Sequence, residues 1–212
     1  MSDFSPANNM TATERKKLLR KQMRALRDAA SPADRAAWSA IICARALALP
    51  EYQSAKVAHC FLSMLSEVDT RAIIAHALAH GKRVVIPLFV RGSTETPCCE
   101  IDTLDDAAYV ISGFGLRVPR EVCLVDEALV DVVFVPLLAF ASSPPRGEGA
   151  GGGYVRLGYG AGYYDAFLAR VSAPSIGLAF ALQRIGELPL EAHDQLLDRV
   201  LTEADITNEQ HI

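Results

Sequence analysis

The sequence predicts an α/β protein whose sheet is at least partly parallel. Strand-like runs alternate with helix-like ones along most of the chain, which is the order that βαβ units produce. Asp131–Val135 (DVVFV) is a continuous apolar run, and such a strand sits inside a sheet covered on both faces. The 212 residues, half of them hydrophobic and 22% charged, suit one packed domain and exclude a globally disordered chain.

The elements follow in order. Residues 1–12 (MSDFSPANNMTA) read as a polar tail and 206–212 as another, leaving 13–205 as a single domain. From Thr13 the pattern is helical: Leu19, Met23 and Leu26 form an apolar stripe, and Lys16, Arg20, Arg24 and Arg27 recur at the same spacing on a different face. Ser31-Pro32 supplies an N-cap and a first-turn proline for a second helix through Trp38 to about Leu49. Lys56–Leu62 is strand-like, and Asp69–His80 is helical with Asp69 or Thr70 as cap and Gly81 as stop. Lys82–Phe89 and Ala108–Ile111 read as further strands ahead of Asp131–Val135. Ala141–Gly153, with its prolines and glycines, is an insertion loop. Ala161–Arg170 then reads as a helix, Ser175–Phe180 as a strand and Arg199–Thr202 as a last short strand.

Charge and composition remove several function classes. Glu14–Arg27 holds seven basic residues against one acid, a local +6 in a chain of net −4, so the remainder carries −10. A protein built to coat nucleic acid would not be acidic overall. The most apolar stretch, Val132–Ala141, is interrupted by Pro136 and is half the ~20 residues that a membrane-crossing helix needs. The five cysteines form no CxxC pair, and adjacent Cys98 and Cys99 have poor spacing for zinc. Residues 1–13 lack the apolar run of a secretory signal. Reduced thiols in a cytoplasmic protein are the expectation.

Four segments carry candidate chemistry. In Arg156–Asp165 (RLGYGAGYYD), Gly158, Gly160 and Gly162 lead into a helix, so bare backbone N–H groups can face a phosphate. The spacing is neither a dinucleotide fingerprint nor a Walker A loop, and a tight turn alone also accounts for glycines. Two tyrosines suit a planar ligand, and the carboxylate after them suits Mg²⁺. The basic helix can bind an anion, or it can be a solvated face with Lys and Arg stems lying over the core. Phe61–Thr70 ends a strand in a loop bearing Glu67 and Asp69, where open α/β sheets place ligands. Asp69 caps the next helix, whereas Glu67 has no such structural task and is the better ligand candidate. Near the last strand, in the segment that holds His193-Asp194 and Asp198, acids are either exposed and idle or, at Asp194, a ligand for Mg²⁺.

Together these segments resemble the 5-formyltetrahydrofolate cyclo-ligase family, also called 5,10-methenyltetrahydrofolate synthetase. The resemblance runs from about Lys16 to Thr202 and rests on six blocks in family order: KKLLR with Arg27 and SPADR, EYQSAKVAHCFLSMLSEVDT, GKRVVIP, DVVFVPLLAF, RLGYGAGYYD and HDQLLDRVLTE. It implies a three-layer α/β/α fold with a largely parallel central sheet, like that of sugar-phosphate isomerases and CoA transferases. It also implies MgATP-driven closure of 5-formyltetrahydrofolate to 5,10-methenyltetrahydrofolate by phosphorylation of the formyl oxygen and attack by N10, with release of ADP and phosphate.

The resemblance assigns residues too. Lys16, Arg20 and Arg156 would act on the phosphates, with Lys17, Leu18, Leu19, Leu157, Gly158, Tyr159, Gly160, Ala161, Gly162, Tyr163 and Tyr164 completing the ATP site. Leu62, Glu67, Tyr159, Gly160, Ala161, Gly162 and Tyr163 would contact the folate, and Asp165 and Asp194 would hold Mg²⁺. A monomer without nucleic-acid or membrane partners is expected. Relatives usually carry Phe-Asp where Phe140-Ala141 stands, a glycine at Tyr154, and Gly or Lys at Ala161. The Gly160 and Gly162 spacing is intact, so activity is expected to survive. The competing readings are an isomerase acting on a phosphorylated sugar and a non-catalytic folate- or nucleic-acid-binding module.

Overall fold

The structure, a computed structural model, describes residues 10–89, 96–113, 115–143 and 152–204. Its first helix, α1 (Ala12–Ala29), starts before the predicted Thr13, because Thr11 and Glu14 form a reciprocal capping box. Helix α2 (Pro32–Leu47) starts as predicted, with Ser31 accepting from the Asp34 N–H, and a short α3 (Pro50–Ser54) follows. Strand β1 (Val57–His59), helix α4 (Arg71–Ala79) and strand β2 (Arg83–Pro87) come next. Thr70 stands at the N-cap of α4, but its hydroxyl donates to the Phe61 carbonyl at 2.6 Å instead of capping the helix, while Asp69 accepts from the Arg71 N–H at 3.0 Å, so the capping expected of Asp69 operates one residue earlier.

Strands β3 (Cys98–Ile101), β4 (Tyr109–Ile111), β5 (Arg117–Pro119), β6 (Cys123–Val125) and β7 (Val132–Pro136) follow. Then come β8 (Ala139–Ser142), β9 (Tyr154–Leu157), α5 (Tyr163–Leu168), β10 (Ser175–Leu178) and β11 (Arg199–Leu201).

The main sheet has seven strands in the order β11-β10-β7-β1-β2-β3-β6. From β11 to β2 every pairing is parallel, and β3 and β6 add an antiparallel edge. Side-chain alternation sorts the central strands onto two cores, since successive residues of a strand face opposite ways. Val84, Ile86, Val132 and Phe134 join α2, α3 and α4 on one face, and Val85, Val133 and Val135 join Phe167 of α5 on the other. The result is the three-layer α/β/α arrangement that the resemblance implies.

Ala108–Ile111 supplies a strand as expected, β4, which among the described residues pairs with β5 in a ribbon outside the main sheet. Two expectations are corrected. Ala141 and Ser142, read as the start of the insertion loop, belong to β8 and pair with Val155 and Tyr154 of β9. Residues 144–151 of that loop, like 1–9 and 205–212 of the tails, lie outside the described residues. The apolar stripe of α1 is broken as well: Met23 is buried and Leu19 packs beside it against the β8–β9 hairpin, but Leu26 is 47% exposed. The buried residues of α1 are Lys16, Met23 and Arg27. Its basic face looks inward because α1 lies over a polar crevice as well as over a core.

Candidate active site

The chain leaves β1 for β2 on one side and returns to β7 on the other, so the strand order reverses between β1 and β7. In open α/β sheets a crevice forms at this point, beyond the carboxyl ends of the strands. A cavity of about 550 Å³ lies there, bounded by Phe61 and Leu62 after β1, Phe89 after β2 and Pro136 at the end of β7. Helix α1 closes one side with Lys16, Arg20 and Arg24, and the whole segment Arg156–Asp165 closes another. Glu191, His193 and Asp194 complete the wall.

Most of the residues singled out in the sequence therefore meet in one place. Lys17 and Leu18 face solvent, and Leu19 packs toward the β8–β9 hairpin, so these three stand off the cavity. Their inclusion followed a contiguous motif, whereas a helix turns neighbouring side chains roughly 100° apart. Sequence reasoning missed Met64, Leu116 and Glu191 as wall residues. Glu191 was detectable three positions before Asp194, but Leu116 reaches the cavity only through the tertiary fold.

Two buried ion pairs dominate the electrostatics. The Lys16 ammonium donates to Asp194 Oδ2 at 2.6 Å and to Glu191 Oε2 at 2.7 Å. Burial pulls the Lys16 pKa down, but the two carboxylates outweigh it and the net shift is upward. Burial pushes Asp194 up, and Lys16 with the Glu191 N–H more than reverses this. The second pair joins Arg156 Nη2 to Asp165 Oδ1 at 2.7 Å, and the same oxygen accepts from the Gln195 N–H. Arg156 is 6% exposed, and burial lowers its pKa despite Asp165. Among the described residues its Nη1 is buried with no hydrogen-bond partner, as is the Tyr164 hydroxyl.

Candidate metal ligands cluster differently from the expected pair. Glu191, His193 and Asp194 bring donor atoms within 4.8 Å of one another, and Asp165 stands outside that group, committed to Arg156. The expectation that Glu67 lacks a structural task is also corrected. Its Oε2 accepts from the Met64 N–H at 2.9 Å, and its Oε1 accepts from the Tyr159 hydroxyl.

The glycine turn is held by α1. Arg20 Nε donates to the Gly158 carbonyl at 3.0 Å. A Cβ on Gly160, whose φ is +101°, would lie 3.1 Å from the Arg20 guanidinium carbon. Glycine is therefore required there twice, by backbone conformation and by close approach. Gly162 at φ +73° turns the chain into α5, a helix of six residues where ten were expected. Next to the glycine turn the wall is apolar, with Tyr163 against Phe89 at 5.0 Å between ring centroids. Charge and flat apolar surface in one cavity suit a planar ligand next to a polyanion.

Comparison with known proteins gives this arrangement a context. A model of the 5-formyltetrahydrofolate cyclo-ligase family matches residues 12–203. The chain is 29% identical over 205 residues to the mouse 5-formyltetrahydrofolate cyclo-ligase, covering 92% of this chain and 96% of the mouse protein. It is 30% identical over 168 residues to a Caenorhabditis elegans protein named probable 5-formyltetrahydrofolate cyclo-ligase, covering 73% of this chain and 76% of that one. Among solved structures it is similar to the 5,10-methenyltetrahydrofolate synthetase of Aquifex aeolicus, with a TM-score of 0.71, 27% identity and coverage of 93% and 95% of the two chains. The Mycoplasma pneumoniae synthetase shares the fold, with a TM-score of 0.69 at 21% identity over 89% of this chain and 99% of the other. Because the family match runs from the first turn of α1 to just past β11, every wall of the cavity lies within it, and the chain belongs to the 5-formyltetrahydrofolate cyclo-ligase family.

Proposed function

We propose that the protein catalyses the ATP- and Mg²⁺-dependent closure of 5-formyltetrahydrofolate to 5,10-methenyltetrahydrofolate, with release of ADP and phosphate. The observation that carries this reading is the union, in one crevice, of a cationic wall, a carboxylate group and an apolar wall, all inside the family match. The residues fit MgATP in two respects. Arg156 Nη1 is a buried donor without an acceptor, which a phosphate oxygen would satisfy. The carboxylates assigned to Mg²⁺ already carry cations, Lys16 on Asp194 and Arg156 on Asp165.

MgATP supplies the phosphoryl group that turns the formyl oxygen, otherwise a poor leaving group, into a good one. The protein's own share in such a transfer is positioning and neutralisation of charge. Lys16, Arg20 and Arg156 would hold the phosphates, together with backbone N–H groups between Gly158 and Gly162. Asp165 and Asp194 would hold Mg²⁺, with Glu191 next to Asp194. Leu62, Met64 and Tyr163 would pack on the folate, and Glu67, held by two donors, would accept from its N–H groups. Among the described residues no helix is long and apolar enough to cross a membrane, and the cysteines are unpaired, which supports the cytoplasmic assignment.

The test is to mix the protein with 5-formyltetrahydrofolate and MgATP, follow the methenyl chromophore and assay ADP. Product formed one-for-one with ADP, and only with Mg²⁺, is expected. A folded sample that hydrolyses ATP without forming the chromophore would overturn the reading.

A further inference from the structure

Arg27 does not line the cavity, yet it is 2% exposed in the last turn of a charged helix. Burying a guanidinium is costly unless its donors are used. Here Nε donates to Ser66 Oγ at 2.9 Å, and Nη1 donates to the Tyr159 hydroxyl at 2.9 Å. Ser66 in turn donates to Asp28, and Tyr159 donates to Glu67. The direction of this chain is forced. Tyr159 has one hydroxyl proton, and its oxygen already accepts from Arg27, so the proton points at Glu67 Oε1. With Met64 N–H on Oε2, both oxygens of Glu67 are pinned by donors, and their remaining lone pairs are acceptors only.

We infer that Arg27 is a positioning residue for the folate substrate, acting through the Tyr159 hydroxyl to fix Glu67 as an oriented hydrogen-bond acceptor at the cavity wall. The inference rests on the cyclo-ligase reading for the identity of the substrate. Two further observations support it. The guanidinium carbons of Arg24 and Arg27 each lie 5.8 Å from the Tyr159 ring centroid, so the ring is held in place as well as its hydroxyl. The same arginine fixes Ser66 and Glu67, adjacent residues of the β1–α4 loop. The Gly158–Gly160 turn is gripped independently by Arg20, so the effect is on folate rather than on nucleotide.

A double-mutant cycle tests this, because residues acting in series give non-additive effects. Tyr159→Phe keeps the ring and the turn backbone and removes only the hydroxyl. It is expected to raise KM for 5-formyltetrahydrofolate about tenfold, with KM for ATP changed less than about twofold. Arg27→Gln is expected to do the same, and the double variant to be no worse than about twofold beyond either single one. Effects that multiply to about a hundredfold, or equal losses for ATP and folate, would overturn the inference. If Arg27→Gln fails to fold, Arg27→Lys takes its place, since one ammonium cannot reach both Ser66 and Tyr159 with fork geometry. Calorimetric Kd values for 5-formyltetrahydrofolate without ATP separate the two readings. A wild type that binds folate without turnover defeats the cyclo-ligase reading while the Kd cycle still decides this one. A folded wild type that binds no folate overturns both.

Discussion

Lys16 Nζ rests 2.6 Å from Asp194 Oδ2, so a residue assigned to phosphate neutralises a residue assigned to Mg²⁺. Arg156 and Asp165 repeat the relationship. The site holds its cations and anions against each other, and loading either ligand alone would strand a buried charge. ATP and Mg²⁺ are therefore expected to bind synergistically. Calorimetry should find ATP without Mg²⁺, and Mg²⁺ without ATP, each at least about tenfold weaker than the pair, a coupling of roughly 1.4 kcal/mol. Independent binding of the two would refute partner exchange.

Lys16→Ala strips the cation from two carboxylates, and breaking a buried pair costs about 3 kcal/mol. The variant should melt earlier than wild type and regain more stability from added Mg²⁺, because Asp194 and Glu191 would be free to take it. Its MgATP affinity should fall at least about tenfold, with folate affinity nearly unchanged. Equal losses for the two ligands would count against the assignment of Lys16.

Asp165→Asn should abolish turnover while the secondary structure, read by circular dichroism, is retained. It also leaves Arg156 buried beside a neutral amide, so the variant should lose about 2 kcal/mol or more in a denaturant titration. Near-normal activity would remove Asp165 from the metal site.

Gly160 and Gly158 form a controlled pair. Gly160→Ala places a methyl 3.1 Å from the Arg20 guanidinium at a φ of +101° and should cost about 1–3 kcal/mol. A Cβ on Gly158 meets nothing within 4 Å, so Gly158→Ala should stay within about 0.5 kcal/mol. Thermal melts of the two would decide, and equal destabilisation would argue against the Arg20 contact.

His59 at the end of β1 is buried, stacks on Phe167 at 4.6 Å and has, among the described residues, no partner for Nδ1. Burial lowers its pKa from 6.5 to about 3. The unfolded chain thus takes up a proton near pH 6.5 that the folded chain refuses, so stability is present above 6.5 and is lost as pH falls toward 3. His59→Leu should flatten the decline between about pH 6.5 and 5 without destabilising the protein at pH 7. Urea titrations across that range would check it, and an unchanged slope would show that His59 is protonated in the fold.

Much of the fold was legible because its signals are local. The apolar run DVVFV, the Ser31-Pro32 helix start and the alternation of strands with helices each depend on neighbours a few residues apart. The glycine turn and the Asp165 carboxylate were legible for the same reason. Cys98–Ile101 and Cys123–Val125 were not read as strands. A three- or four-residue strand is too short for its alternation to register, and the pairing of β3 with β2 and β6 is what makes these segments strands.

The amino-acid order by itself determined the α/β class, the family and which segments carry the chemistry. Tertiary structure alone decided the sheet order, the inward turn of the α1 cations, the partners of Glu67 and the role of Arg27. The reason is distance along the chain. Lys16 and Asp194 are 178 positions apart, and Arg27 and Tyr159 are 132 apart. A charge pattern states that a cation is present, but only the packing of α1 over the β1–β7 crevice sets which anion it meets and how far both are removed from water.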